Sequence, residues 1–143
     1  MSVFFASYAL AAASARIGIG SAIDRMGRQR VAVTCLILYI AVVAGMAELD
    51  SIGLAPLGAV FGVAHGLFFP ACNAMAIERM APSERGRGMT LVIGAFNLGF
   101  ALGPLGLGFV AKAAGYPTAF ACAAGLAGIA LVLLATLRDP KPT

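Results

Sequence analysis

The amino-acid sequence predicts an all-α fold, a polytopic transmembrane helix bundle of about five helices. Of its 143 residues, 61% are hydrophobic and 11% are charged, whereas a soluble domain has about 45–50% apolar and about 25% charged residues. A chain this small that faced water on all sides would need more polar residues to cover its surface. The excess of apolar residues therefore indicates that the chain lies in a lipid bilayer.

The apolar residues are grouped into five long stretches. A bilayer core about 30 Å thick is crossed by about 20 apolar residues in helical conformation. Five stretches reach or approach that length, and they predict one transmembrane bundle over residues 1–143. The predicted spans are 3–23, 31–47, 52–77, 88–111 and 117–137.

The charges between the spans predict the orientation of the chain. Basic residues favour the cytoplasmic side of a membrane, and they alternate here from one connection to the next. One side carries Arg25, Arg28, Arg30, Arg79, Arg85, Arg87, Arg138 and Lys141, and the other side carries Lys112. We therefore expect a bacterial-type inner membrane, a cytoplasmic C-terminus and an N-terminus outside. An outside N-terminus favours a missing preceding helix, with a complete five-helix protein as the alternative.

The most informative connection is the predicted loop from Asp24 to Arg30. Together with the preceding glycine it resembles the loop signature of the major facilitator superfamily, G-x-x-x-D-R-x-G-R-R/K, which lies between helices two and three and, more loosely, between helices eight and nine. Gln29 departs from the signature, where a basic residue is common. The matching residues are Gly20, Asp24, Arg25, Gly27, Arg28 and Arg30.

The chemistry of this loop fits the resemblance. Gly27 permits a tight turn with a positive φ, and Asp24 places an anion near the start of the next helix. The resemblance implies that the loop forms a charge lock with neighbouring helix ends and that transport breaks and remakes it. A generic basic loop on the cytoplasmic side is the alternative.

A second pattern lies in the fourth span, where Gly99, Gly103, Pro104 and Gly108 resemble a glycine–proline pattern of the fifth and eleventh helices of this superfamily. Proline is expected to kink the helix, and the glycines offer a face to a closely packed neighbour. Before this span, the segment from Pro82 to Gly88 resembles a turn of the superfamily between helices ten and eleven. Glycine-rich packing without a specific role remains the alternative reading.

The resemblance favours helices eight to twelve, because the sequence stops soon after the fifth span rather than entering a long central loop. The stretch from Gly66 to Asn73 also looks like the tenth helix of sugar-efflux and multidrug-efflux members. The resemblance implies a partial fold of the superfamily and, for the complete protein, secondary active transport of a small solute by alternating access. We expect the fragment to be inactive without its N-terminal half or an oligomer partner.

Four polar residues inside the spans are candidates for a substrate or ion path: Arg16, His65, Asn73 and Asn97. An ionisable residue in a membrane span is a functional hypothesis by default. Arg16 lies about two turns before the basic loop, and its alternative is snorkelling to the inner headgroups or pairing with Asp24 through the helix end. His65 could equally be a neutral histidine bonded to a neighbouring helix, and the two asparagines could bridge helices.

Other functional classes receive little support from the sequence. The net charge of +4 does not form a stripe, so no nucleic-acid partner is expected. Cys35, Cys72 and Cys122 lie in apolar runs without paired spacing, which favours packing over a disulfide or metal site. The sequence has no nucleophile–base pair, so we expect no enzyme and no cofactor. A membrane scaffold that works by helix packing is the alternative function, and a complete small transporter acting as an oligomer is a third.

Overall fold

The computed structural model describes residues 2–46 and 53–137, without the side chains of residues 19–25 and Leu54. Its helices are α1 (Ser2–Met26), α2 (Arg28–Met46), α3 (Leu54–Glu78), α4 (Arg85–Ala114) and α5 (Tyr116–Thr136), and a 3-10 turn at Pro82–Glu84 precedes α4. The prediction of an all-α bundle of about five helices is confirmed.

Four segments of the described chain are long and apolar enough to cross a membrane: Arg28–Met46, Ala55–Glu78, Pro82–Ala114 and Tyr116–Thr136. These segments correspond to α2, most of α3, α4 with its preceding turn, and α5, and they indicate a multi-pass membrane protein. Helix α1 is not among them, and the part of it with described side chains contains Arg16. The membrane crossing of α1 therefore stays a prediction.

The connections between helices are shorter than the sequence predicts. Helix α1 continues to Met26 and α2 begins at Arg28, so the predicted loop from Asp24 to Arg30 is mostly helical and only Gly27 connects the two helices. Gly27 has a φ of 86°, which confirms the predicted turn. Gly115, also at φ 86°, joins α4 to α5. One left-handed residue can end a helix and redirect the chain, so the next helix begins at once.

The bundle is built around α3. Helix α1 packs along α3, α2 packs on α3 and α5, and α4 packs on α5 with a smaller contact to α3. The buried core is made of Ala15, Val31, Ala32, Cys35, Ala64, Leu67, Ala71 and Met75. Many of these side chains are small, which allows the helix backbones to lie close together. Helix α4 has no buried residue in the described chain.

Three glycines of α3 form the closest helix–helix contact. Gly58, Gly62 and Gly66 are four residues apart, so they lie on one face of the helix. A Cβ atom at Gly66 would lie 2.8 Å from the Ala12 carbonyl oxygen, and one at Gly58 would lie 2.6 Å from the Phe4 carbonyl oxygen. Both distances are too short for a real side chain. The α1–α3 contact therefore requires glycine, and it fixes the position of α1 beside the cavity described next.

Candidate functional site

A cavity of about 770 Å³ lies among the helices, lined mainly by α1, α2, α3 and α4. This volume is in the range of small-molecule sites, about 300–1,000 Å³. Most of its lining residues are aromatic or aliphatic. They are Phe4, Phe5, Tyr8, Tyr39, Val43, Phe61, Phe68, Phe69, Ile93, Phe96, Phe100 and Ala127, together with the polar residues Arg16, His65 and Asn97.

Phe61 is at the centre of the aromatic cluster in this cavity. Its ring centroid lies 5.0 Å from that of Tyr39 and 5.8 Å from that of Tyr8. Phe61, His65 and Phe68 are four and three residues apart on α3, so their side chains project from one helix face. Ring pairs at 4.5–7 Å in tilted or edge-to-face arrangement are favourable. The cluster thus connects α1, α2 and α3.

Helix α4 provides the opposite wall. Ile93, Phe96, Asn97 and Phe100 all line the cavity, and their spacing of three and four residues places them on one face of α4. The Phe96 ring centroid lies 5.1 Å from that of Phe69 on α3. This contact is part of the small interface between α3 and α4, in which Phe96 also meets Phe68.

His65 is bound to a neighbouring helix and also faces the cavity. The Tyr39 hydroxyl oxygen and His65 Nδ1 are 2.9 Å apart, and the hydroxyl donates when Nδ1 carries no proton. The side chain of His65 is only half-buried, and its ring lies 6.5 Å from that of Phe100. The two alternatives raised by the sequence are therefore compatible, because a histidine bonded between helices can also contact a solute.

Arg16 lies deeper in α1 than the sequence predicts. Because α1 ends at Met26, Arg16 is ten residues from its end, about 15 Å along the helix axis, rather than two turns from a loop. Its side chain is exposed and lines the cavity, and no hydrogen bond or ion pair joins it to a described residue. A charge at the centre of a membrane helix costs about 2.5–3.5 kcal/mol on insertion scales, and the cavity offers Arg16 the polar groups of His65 and Asn97 in place of lipid.

The two asparagines are separated by the fold. Asn97 is exposed to the cavity, whereas Asn73 does not line it, and the Asn73 side-chain oxygen is buried without a hydrogen-bond partner. The structure thus brings together Arg16, His65 and Asn97 and leaves Asn73 apart. Their role in binding stays a prediction.

The loop motif lies at the end of the bundle where α1 meets α2. Arg28 forms an ion pair with Glu78 at the end of α3. Gln29 donates from Nε2 to the carbonyl oxygens of Leu134, at 3.0 Å, and Leu137, at 2.7 Å. Arg30 is exposed. Gly20, Asp24 and Arg25 lie in α1, and the side chains of Asp24 and Arg25 are outside the described residues. The predicted acidic connection and basic tail, residues 47–52 and 138–143, are also outside them.

In the sequence, Gln29 stands out only as a departure from the loop signature. Carbonyl groups near the end of a helix lack a full set of intrahelical donors. The Gln29 amide donates to the Leu137 carbonyl just beyond α5 and adds a second donor to the Leu134 carbonyl, which also accepts from the Leu137 N–H group. A basic side chain at this position could also donate, but an amide does so without adding charge. The unusual residue at position 29 could have marked it as a contact residue, but the sequence could not show that its partner is the end of α5.

The glycine pattern of α4 has different surroundings from that of α3. A Cβ atom at Gly99, Gly103 or Gly108 would meet no atom within 4 Å, so no described residue packs closely on them. Pro104 lies inside the continuous helix α4 and, lacking an N–H group, cannot bond to the Phe100 carbonyl one turn earlier. The predicted kink and close neighbour stay predictions.

The phenylalanines of the cavity and its two tyrosines, Tyr8 and Tyr39, are not among the site residues predicted from the sequence. The spacing of Phe61, His65 and Phe68 could have indicated one aromatic face on α3. Which other helices complete that face depends on the packing of the bundle. In the described part of the chain, no group of three or more His, Cys, Asp or Glu side chains could hold a metal ion.

Comparison with known proteins identifies relatives over nearly the whole chain. The sequence profile of the Major Facilitator Superfamily matches residues 1–143. An uncharacterized MFS-type transporter of Pseudomonas aeruginosa strain UCBPP-PA14 is 34% identical over 147 residues, covering 90% of this chain and 33% of the relative. Similar proteins of strains LESB58 and PAO1 match to the same extent. The chain spans about a third of the length of these relatives. No solved structure matches the chain.

Proposed function

Because the chain belongs to the major facilitator superfamily, we propose that it forms helices eight to twelve of a secondary transporter that moves a small solute by alternating access. The observation that carries this proposal is the cavity of about 770 Å³, which contains an arginine, a histidine and an asparagine among aromatic rings. Solute sites of such transporters lie near the middle of the membrane, between repeated helix units.

The placement of the polar groups supports a binding role for this cavity. Arg16, His65 and Asn97 come from three different helices and meet around one space, although they are far apart in the sequence. Ligand pockets commonly combine an apolar wall with a few polar groups that orient the ligand. In this proposal the solute lies between these groups and the rest of the complete transporter.

The loop motif has a separate role in the proposal. The Arg28–Glu78 ion pair and the Gln29 hydrogen bonds join the ends of α2, α3 and α5. Alternating access requires that one end of the bundle opens while the other closes. We assign these contacts to the closed state at this end, which is cytoplasmic in the proposed orientation, with the N-terminus outside and the membrane a bacterial inner membrane.

The test uses the chain by itself and a chimaera in which it replaces the matching third of the Pseudomonas relative. Growth on a panel of small organic solutes is compared for cells that carry the chimaera, the relative, the chain alone or an empty vector. We expect the chimaera to reproduce the growth differences of the relative and the chain alone to match the vector, because alternating access requires two halves that move against each other.

Two outcomes would contradict the proposal. Growth differences produced by the chain alone would favour a complete small transporter that acts as an oligomer. A well-expressed chimaera that matches the vector, beside an active relative, would favour the scaffold function. The open glycine face of α4 is the observation that fits a scaffold, because such a face can accept a partner helix.

A further inference from the structure

The chemistry of the cavity limits the kind of solute that fits it. This argument rests on the proposed function, since it concerns the same cavity. Its wall is built largely of phenylalanine and tyrosine rings from α1, α2, α3 and α4. Flat apolar groups pack well against such rings in edge-to-face or offset arrangement. A sugar, which presents hydroxyl groups in every direction, would leave many of them without partners against this wall.

The charge of the cavity is the second constraint. Among its described lining residues, Arg16 is the ionised group and no carboxylate is present. The Arg16 side chain is exposed and lines the cavity, so its guanidinium can reach a ligand there. A guanidinium binds a carboxylate with two parallel hydrogen bonds, which gives both energy and orientation. A cationic ligand would be repelled by Arg16 and would find no counter-charge in this wall.

The other polar groups of the cavity also suit a ligand with a carboxylate group. The Asn97 amide can donate a hydrogen bond to an anionic oxygen and lines the same cavity. The Tyr39–His65 hydrogen bond, at 2.9 Å, occupies one ring nitrogen of His65 and holds the ring beside Phe61 and Tyr8. His65 thus belongs to the aromatic part of the wall, and Arg16 and Asn97 are the groups that suit the charged end of a ligand.

From this arrangement we infer that the cavity binds an aromatic carboxylate, with its ring among Phe61, Phe68 and Phe100 and its carboxylate at Arg16. Cation–π contact with the ring faces is the competing possibility, and it would favour an aromatic amine. The full charge of Arg16 opposes that choice, because a like charge in an apolar site acts over a longer distance than a ring quadrupole.

The experiment measures binding of three ligands of nearly equal shape to the purified full chain in lipid nanodiscs at neutral pH. The ligands are 3-phenylpropanoate, 3-phenylpropanamide and 3-phenylpropylamine, and calorimetry gives the affinity of each. We expect the anion to bind about tenfold more tightly than the amide, and the amine to bind most weakly. This order is a property of the unmodified chain and does not depend on the folding of a variant.

Substitutions of Arg16 then test whether this residue causes the preference for the anion. Arg16→Gln is expected to lower the affinity for the anion by about tenfold and to make the anion and the amide bind equally. Arg16→Lys should restore part of the difference, because it keeps the charge but not the paired geometry. Arg87→Gln, in the exposed first turn of α4, is the matched control and should leave all three affinities unchanged.

Tighter binding of the amine, equal binding of all three ligands, no binding of any, or an anion preference that survives Arg16→Gln would each overturn the inference. These outcomes are separate from a failure of the proposed function. The chimaera can share the growth differences of its relative whatever solute class the cavity prefers, and ligand binding can be measured whether or not the chimaera transports.

Discussion

Helices α3 and α4 both carry glycines four residues apart, yet the structure surrounds them differently. The α3 glycines contact the backbone of α1 so closely that a Cβ atom at Gly62 would lie 3.0 Å from the Ala11 Cβ and closer still to the Tyr8 carbonyl oxygen. On α4, a Cβ atom at Gly99 or Gly103 would meet nothing within 4 Å. The same sequence pattern thus has a filled face on one helix and an open face on the other.

The difference shows what glycine spacing can and cannot predict. Spacing of four residues places small side chains on one face and allows another backbone to approach. Whether a backbone does approach depends on the partner helix. Helix α1 brings the small residues Ala11 and Ala12 against the α3 glycines, whereas α4 contacts α3 partly through phenylalanine rings.

The largest expected effect comes from filling the α3 face. Gly62→Ala should lower the free energy of unfolding by about 1–3 kcal/mol, because the added methyl group forces α1 and α3 apart. The measurement is unfolding of the purified chain by SDS titration in mixed micelles, followed by circular dichroism.

Gly103→Ala on α4 is the matched control for Gly62→Ala. It adds the same methyl group to open space, so the free energy of unfolding should not fall, and the higher helix propensity of alanine raises it by at most about 1 kcal/mol. If the two substitutions destabilised the chain equally, the comparison between the α3 and α4 faces would be wrong.

A smaller effect is expected from Gln29, which connects α2 to the end of α5. Gln29→Leu removes two hydrogen bonds to carbonyl groups at 3.0 Å and 2.7 Å, so we expect a loss of about 1–2 kcal/mol. Hydrogen exchange should increase at the end of α5, while the amides of the α1–α3 contact keep their protection. Helix α4 packs mainly on α5. The substitution therefore tests whether the α4–α5 pair is less firmly attached than the α1–α3 pair.

Gln29→Lys is the control for this substitution, because lysine keeps a donor and restores the basic residue common at that position. It should retain most of the stability of the unmodified chain and most of the protection of α5. Faster exchange across α1 and α3 in Gln29→Leu would show instead that the bundle unfolds as one unit and that α5 has no separate attachment.

The smallest expected effect is that of the hydroxyl group of Tyr39. Tyr39→Phe keeps the ring beside Phe61 but removes the hydrogen bond to His65, and bonds between membrane helices contribute about 0.6 kcal/mol on average. Tyr8→Phe is the matched control, because the Tyr8 hydroxyl has no hydrogen bond to a described residue. Equal losses of unfolding free energy in both variants would mean that the Tyr39–His65 bond makes no contribution of its own.

Much of the secondary structure could be predicted from the sequence. The apolar stretches gave five helices, and the glycine in the loop signature gave the left-handed turn at Gly27. The length of the connections could not be predicted, because charged residues such as Asp24 and Arg28 are compatible with both a loop and a helix end. In the structure, Gly27 alone connects α1 to α2.

The residues of the candidate site could be predicted from the sequence only in part. Arg16, His65 and Asn97 stood out because polar groups in a membrane span are costly, but nothing in their spacing along the chain related one to another. The phenylalanines did not stand out, because in an apolar sequence an aromatic ring gives no signal until its neighbours are known.

The sequence by itself determined the class of fold, the apolar helices and the superfamily resemblance, since hydropathy and a short loop signature are local properties of the chain. Only the tertiary structure decided which glycine face is filled, that Gln29 binds the end of α5, and that three polar residues share an aromatic cavity with Phe61 and Phe100. The physical reason is that these features depend on which helix surfaces fit each other, and shape complementarity between distant segments is a property of the packed bundle.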